Sequence, residues 1–116
     1  MTKKPKDQLY LVLKKEYFDE ILAGTKTEEY RDFTDHNISR LAVTDENGSI
    51  LDTRKYKTVK FQNGYSKGAP QMIVEVKEVL LEVDEGVDLD DPQATLTSEN
   101  CNFTIILGQI LEKANC

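Results

Sequence analysis

Leu9-Tyr10-Leu11-Val12-Leu13-Lys14-Lys15-Glu16-Tyr17-Phe18-Asp19-Glu20-Ile21-Leu22-Ala23-Gly24-Thr25-Lys26-Thr27-Glu28-Glu29-Tyr30-Arg31 reads as strand, helix, turn and strand in one continuous run. Leu9 to Leu13 is unbroken apolar sequence, the signature of a buried first strand. Lys14-Lys15 opens a helix in which Tyr17, Phe18, Ile21 and Leu22 recur at the spacing of one packed face. Glu16, Asp19 and Glu20 take its wet side. Gly24 then ends the helix as a left-handed cap. The next residues are polar. Read as a strand from Lys26 to Arg31, they alternate, with Thr27, Glu29 and Arg31 on one face and Lys26, Glu28 and Tyr30 on the other. Neither face carries an apolar row, so this strand clusters polar groups or lies at an edge. Glu29 and Arg31 pair on one face, Lys26 projects from the turn over the same mouth, and Lys14 reaches it from the end of the first strand.

Outward from this run the chain keeps a strand-rich pattern. Asp32 to Arg40 reads as loop with a short helical turn, and its His36, the only histidine, has no partner at metal-ligand spacing. Asp45-Glu46-Asn47-Gly48 separates two short apolar runs and signals a hairpin. Arg54, Lys55, Lys57 and Lys60, with Tyr56 among them, form the densest basic cluster. Thr58 to Gln62 alternates with Val59 and Phe61 inward, then stops at Asn63-Gly64-Tyr65-Ser66-Lys67-Gly68, a run of turn residues. That loop offers an amide, an aromatic face and an ammonium, the groups that read and stack on an unpaired base. Met72 to Val83 is expected to be the longest strand. Its apolar parity changes around Lys77-Glu78-Val79, which a bulge accommodates. Asp84 to Asp91 carries five carboxylates in eight residues. The run Asp84, Asp88, Asp90, Asp91 lacks the ligand spacing of a calcium loop. Phe103 to Leu111 closes the sheet, with Gly108 marking a bend or a close backbone approach.

Composition sets the bounds. At 116 residues the chain makes one domain able to bury about two thirds of its unfolded surface. Residues 1–8 are expected to form a mobile tail ahead of a single domain over residues 9–116. Two cysteines, Cys101 and Cys116, match neither a zinc pattern nor a disulfide framework. No signal peptide or membrane-length apolar run is present, so the reading is a reduced cytoplasmic protein with no metal and no cofactor. The net charge of −6 opposes broad, sequence-blind binding of nucleic acid. The distribution refines this: residues 1–67 hold thirteen of the fifteen Lys and Arg against eleven acids, while residues 68–116 hold two against ten. A small basic site on an acidic protein is therefore favoured over an extended groove. With five or six strands, one clear helix and no strand-helix alternation, the pattern fits a small, mostly antiparallel α+β barrel with a helix after the first strand.

Gly24-x-Lys26-x-x-Glu29-x-Arg31, preceded by Leu11-x-Leu13-Lys14 and Tyr17-Phe18-x-x-Ile21, resembles the signature of the ASCH domain family. The resemblance runs from about Leu9 to Glu112 and implies a PUA-like β-barrel whose cleft is associated with RNA or nucleotide recognition. It also places the loop at Asn63 to Gly68 on the cleft rim. The first functional expectation is a reader of RNA, a nucleotide or a modified nucleoside. Its ligand-binding residues are Lys14, Lys26, Glu29, Arg31, Asn63, Tyr65 and Lys67. The second comes from relatives that are small amidohydrolases removing the acetyl group of N4-acetylcytidine with a lysine, a threonine and a glutamate. Lys26 matches their lysine. Glu29 stands where they carry threonine, so hydrolysis here would use Lys26 and Glu29 to activate water. The later glutamate stays open among Asp84, Glu85 and Glu99. A third expectation is a ligand-free protein-interaction domain that presents the acidic stretch.

Overall fold

Leucine at every second position of Gln8–Leu13 puts one side of the first strand into the core. The computed structural model describes residues 7–88 and 95–116. Residues 1–6 of the expected tail, and Asp90 and Asp91 of the acidic run, lie outside the described residues. The elements are β1 (Gln8–Leu13), α1 (Lys15–Leu22), β2 (Glu28–Asp32), α2 (Asp35–Leu41), β3 (Ala42–Thr44), β4 (Ile50–Thr53), β5 (Thr58–Asn63), β6 (Gln71–Val83) and β7 (Cys101–Ala114). About half of the described residues are strand. One sheet has the order β1-β5-β6-β7-β2, and β3 pairs with β4 in a separate hairpin.

The chain divides into two compact units. The first holds residues up to Glu29, Lys55–Glu78 and Ile106–Cys116. Here β1 runs parallel to β5, with Leu9 opposite Val59 and Leu11 opposite Phe61. β5 runs antiparallel to β6, with Val59 opposite Val74 and Phe61 opposite Met72. Leu9, Val59 and Val74 thus form one buried row across three strands, and Leu11, Phe61 and Met72 form the next. α1 adds Phe18 and Ile21 to this core. Fully burying side chains of this size stabilises by about 1.5–3 kcal/mol each.

The second unit comprises Tyr30–Arg54 and Val79–Ile105. Its core centres on Leu41, Ala42, Val79, Cys101, Phe103 and Ile105. The Phe33 and Phe103 rings stack at 5.7 Å. Thr53 Oγ1 donates to the Val79 carbonyl at 2.7 Å, which ties the β3-β4 hairpin to β6. Thr104 is buried, and its hydroxyl donates to the Glu82 carboxylate, so the polar group is not left without a partner.

Several expectations change. Among the described residues there are seven strands rather than five or six, and β7 exceeds β6 by one residue. The β1-β5 pair is parallel, and residue alternation within a strand carries no information about its partner's direction. Asp35–Leu41 is a second helix. Its N-terminus is closed by Thr34, whose side chain accepts from the Asn37 backbone N–H at 3.2 Å. Other expectations match the structure. The hairpin forms around Asp45, whose carboxylate accepts from Asn47 N and Ser49 N. Along β6, Met72, Val74 and Val76 are buried, Lys77 and Glu78 are both exposed, and Val79 is buried again, so the face switches there. Among the described residues no helix is long and apolar enough to cross a membrane.

Candidate functional site

The site begins with the way α1 ends. Gly24 adopts φ +80°. Gly24 N–H donates to the Ile21 carbonyl and Thr25 N–H to the Glu20 carbonyl, both at 3.0 Å. That is the paired closure of a left-handed helix terminus. Thr25 Oγ1 and Lys26 N–H also reach the Glu20 carbonyl, at 3.1 and 3.2 Å. The chain leaving the helix is thereby pinned before β2 starts at Glu28.

This geometry corrects the expected facing. Because β2 begins at Glu28, Lys26 and Thr27 precede the pleat and are not separated by strand alternation. Both line a cleft of about 450 Å³ in the first unit, together with Ile21 and Gly24. Its opposite wall is Val74 of β6 and Leu107, Gly108, Gln109 and Ile110 of β7. Thr27 is anchored there by its carbonyl, which accepts from Leu107 N–H at 2.9 Å. Lys26 and Glu29, assigned to opposite faces by parity, instead form an ion pair with Nζ 3.7 Å from Oε1. The two side chains are only 15% and 8% exposed. Lys26 Nζ also stands 5.6 Å from the Tyr17 ring centroid, a cation–π distance.

The remaining candidates are not on this cleft wall. Asn63 N–H donates to the Pro70 carbonyl, and Gly64 N–H to the Leu13 carbonyl. The Asn63–Gly68 loop therefore docks at the end of β1, beside Lys14, at the opposite end of α1 from Gly24. Lys14 and Lys67 are exposed, and Tyr65 is 88% exposed. Arg31 is half-buried and belongs to the second unit. His36 is exposed on α2. Among the described residues no cluster of His, Cys, Asp and Glu is arranged to hold a metal ion.

Two contributors were not singled out from the sequence. Tyr17 was placed in the packed helix face; it is 41% exposed and lies by Lys26. Its signal is the stripe Tyr17, Ile21, Gly24, which continues the helical period onto the cleft wall. Glu75 is the other. Its carboxylate occupies the space a Gly108 side chain would fill, and accepts from Gln109 N–H at 3.3 Å. Gly108 in an apolar strand was the visible half of that contact.

Outside the cleft, the Asp19 carboxylate hydrogen-bonds Lys15 at 2.6 Å and raises its pKa. Burial, with a smaller contribution from Asp84, pushes the Cys101 thiol up. Comparison with protein-family models, curated proteins and solved structures finds no match for this chain. The cleft therefore has to be judged on its chemistry. It combines a cation held near a buried carboxylate, a hydroxyl, a side-chain amide and aliphatic walls. That set suits a planar polar ligand with an anionic or carbonyl edge.

Proposed function

We propose that this protein is an ASCH-like, PUA-like reader of RNA, a nucleotide or a modified nucleoside, and that the ligand sits in the cleft at Lys26. The observation that carries the reading is Lys26, which lines the cleft and pairs with the buried Glu29. Burying a cation and a carboxylate costs free energy unless they hold each other in place. Here the pair holds Lys26 at the edge of a space large enough for a nucleobase. Lys26 supplies positive charge to a phosphate or carbonyl edge, and the Val74, Leu107 and Ile110 side chains supply an apolar surface. The acidic balance of the rest of the chain limits binding to that defined position.

One observation favours a second reading, hydrolysis of an N4-acetylated cytidine. Thr27 lines the same cleft as Lys26. Its hydroxyl would attack the acetyl carbonyl and pass its proton to the leaving N4 amine, releasing cytidine and an acetyl-Thr27 ester that water then hydrolyses to acetate. Alternatively, water activated by Lys26 and Glu29 would attack directly, and the C–N bond would break to give cytidine and acetate.

Both readings meet one experiment. Cytidine monophosphate and N4-acetylcytidine are titrated calorimetrically into wild type, Lys26→Ala and Lys26→Arg, with chromatography for released cytidine. The reader reading expects binding without turnover. Lys26→Ala should weaken it by at least about tenfold, the worth of one charge-assisted hydrogen bond, and Lys26→Arg should weaken it less. Cytidine release lost in Lys26→Ala makes the protein an amidohydrolase. Equal binding by wild type and Lys26→Ala, or none by folded wild type, overturns the cleft assignment.

A further inference from the structure

Tyr65 is the most exposed large hydrophobic side chain in the described structure, at 88%, yet the loop that carries it is tightly held. Tyr10 OH donates to Gln62 Oε1 at 2.7 Å, and Gln71 Nε2 donates to the same oxygen at 2.7 Å. Gln62 Nε2 in turn donates to the Gly64 carbonyl at 2.7 Å. Gly64 N–H is fixed to Leu13, Asn63 N–H to Pro70, and Ala69 N–H to the Ser66 carbonyl. Gly64 and Gly68, both at φ +73°, bracket the tip. A chain of side-chain and backbone bonds thus fixes a loop whose tip is a solvent-facing aromatic ring. Such a ring gains nothing for the fold. Held in place beforehand, it meets a ligand at low entropic cost.

The surrounding charge indicates what the ring would meet. From Asn63 to Pro70 the loop contains Lys67 and no acid, on a protein of net charge −6. Lys14 caps α1 immediately after Leu13, to which the loop is bonded, and is exposed. The neighbouring Lys15 is already bonded to Asp19, so Lys14 and Lys67 are the two exposed lysines left to meet a ligand here, with Glu16 in the first turn of α1 the nearby acid. An aromatic face with two ammonium groups matches a base and its phosphates.

Resting on the reading of the Lys26 cleft as a nucleotide site, we propose that the Tyr65 loop is its second contact, and that the ligand is a short single strand of RNA rather than a free nucleotide. The cleft and the loop stand at opposite ends of α1. That helix has eight residues and so spans about 12 Å. At roughly 3.4 Å per nucleotide in a stacked strand, the gap corresponds to about three to four nucleotides. One base occupies the cleft, the chain spans a distance equal to the helix length, and a base near the other end stacks on Tyr65 while Lys14 and Lys67 meet phosphates.

The test is affinity against length. Cytidine oligonucleotides of one to six units are titrated into wild type, Tyr65→Ala, Tyr65→Phe and Lys67→Ala. Affinity should climb up to about four units, the span set by helix and strand spacing, and then level off. Tyr65→Ala should weaken the longer oligomers by about 5- to 150-fold, the worth of one stacked base. It should leave the mononucleotide unchanged, and Tyr65→Phe should retain the gain. Lys67→Ala should lower the slope of log affinity against log salt by about 0.7, one single-strand phosphate contact. A mononucleotide that binds as tightly as the tetramer, or Tyr65→Ala that equals wild type on the tetramer, overturns the second contact and leaves the cleft standing. The latter is also the outcome if the loop docks a protein. Failure of every length, the mononucleotide included, removes the cleft and this inference together.

Discussion

Replacing Lys26 with Met removes the ammonium while keeping most of the aliphatic stem. The Glu29 carboxylate then remains in place, its side chain 8% exposed, without that counter-charge. Removing one partner of a fully buried pair costs about 3–5 kcal/mol, whereas an exposed pair is worth about 0–1 kcal/mol. Two features lower the estimate here. The 3.7 Å separation exceeds the roughly 2.7–2.9 Å of a charge-assisted hydrogen bond, and the 15% exposure of Lys26 admits some water. A loss of about 1.5–3 kcal/mol follows. With an unfolding entropy of about 2.1 cal/mol/K per residue, a chain of 116 residues loses roughly 4 °C of Tm per kcal/mol, so the midpoint should fall by about 6–12 °C. Glu29→Gln leaves Lys26, the more exposed partner, beside Tyr17 and should cost only about 1 kcal/mol. The double variant should be no worse than Lys26→Met alone, a coupling of about 1 kcal/mol. Urea denaturation and calorimetry of the four proteins measure the cycle. Single variants within about 0.5 kcal/mol of wild type, the level of an ordinary surface change, or strictly additive effects, would refute a functional pair at this position.

Three further outcomes are expected. Gly24→Ala places a side chain at φ +80° and should cost about 1–2 kcal/mol in chemical denaturation; an unchanged midpoint would contradict the left-handed helix end. Gly108→Ala meets mainly the flexible end of Glu75, which can swing into solvent. Its cost should stay within about 1 kcal/mol, partly offset by the better strand preference of Ala, and should vanish in Glu75→Ala/Gly108→Ala; a larger loss that persists in the double variant would mean that the two backbones themselves clash. Cys116 is exposed and Cys101 buried, so iodoacetamide should label Cys116 quickly and Cys101 only on unfolding. Because the folded Cys101 thiol keeps its proton to higher pH than the unfolded one, the unfolded state binds fewer protons above the ordinary thiol pKa. Stability should fall as pH rises from that value to the folded one, and Cys101→Ala should remove this slope.

Local pattern and tertiary placement were not equally legible. The buried alternation of Val59 and Phe61, the helix stop at Gly24 and the Asn47-Gly48 hairpin depend on near neighbours in the chain, and the sequence shows all three. The parity switch after Val76 was visible for the same reason. The parallel β1-β5 pairing was not, since Leu9 and Val59 carry no mark of each other's direction. The second helix was undercounted because Thr34 and Asn37 close its end through a side-chain bond rather than an apolar stripe. At the site, Lys26 was identified from its position after the turn, but its pairing with Glu29 was not seen. Alternation was extended two residues too early, which set Lys26 on the face opposite Glu29. Tyr65 and Lys67 read correctly as loop residues and are exposed, whereas Asn63 is the half-buried last residue of β5. The docking of the loop at Leu13, a contact across about fifty residues of chain, had no local signal.

The most direct test of the cleft is an amide chemical-shift titration of isotope-labelled protein with cytidine monophosphate. The account predicts saturable shifts at Lys26, Thr27, Gly108 and Gln109 that disappear in a folded Lys26→Ala variant. Shifts confined to Asp84–Asp88, or none at saturating nucleotide, would contradict it.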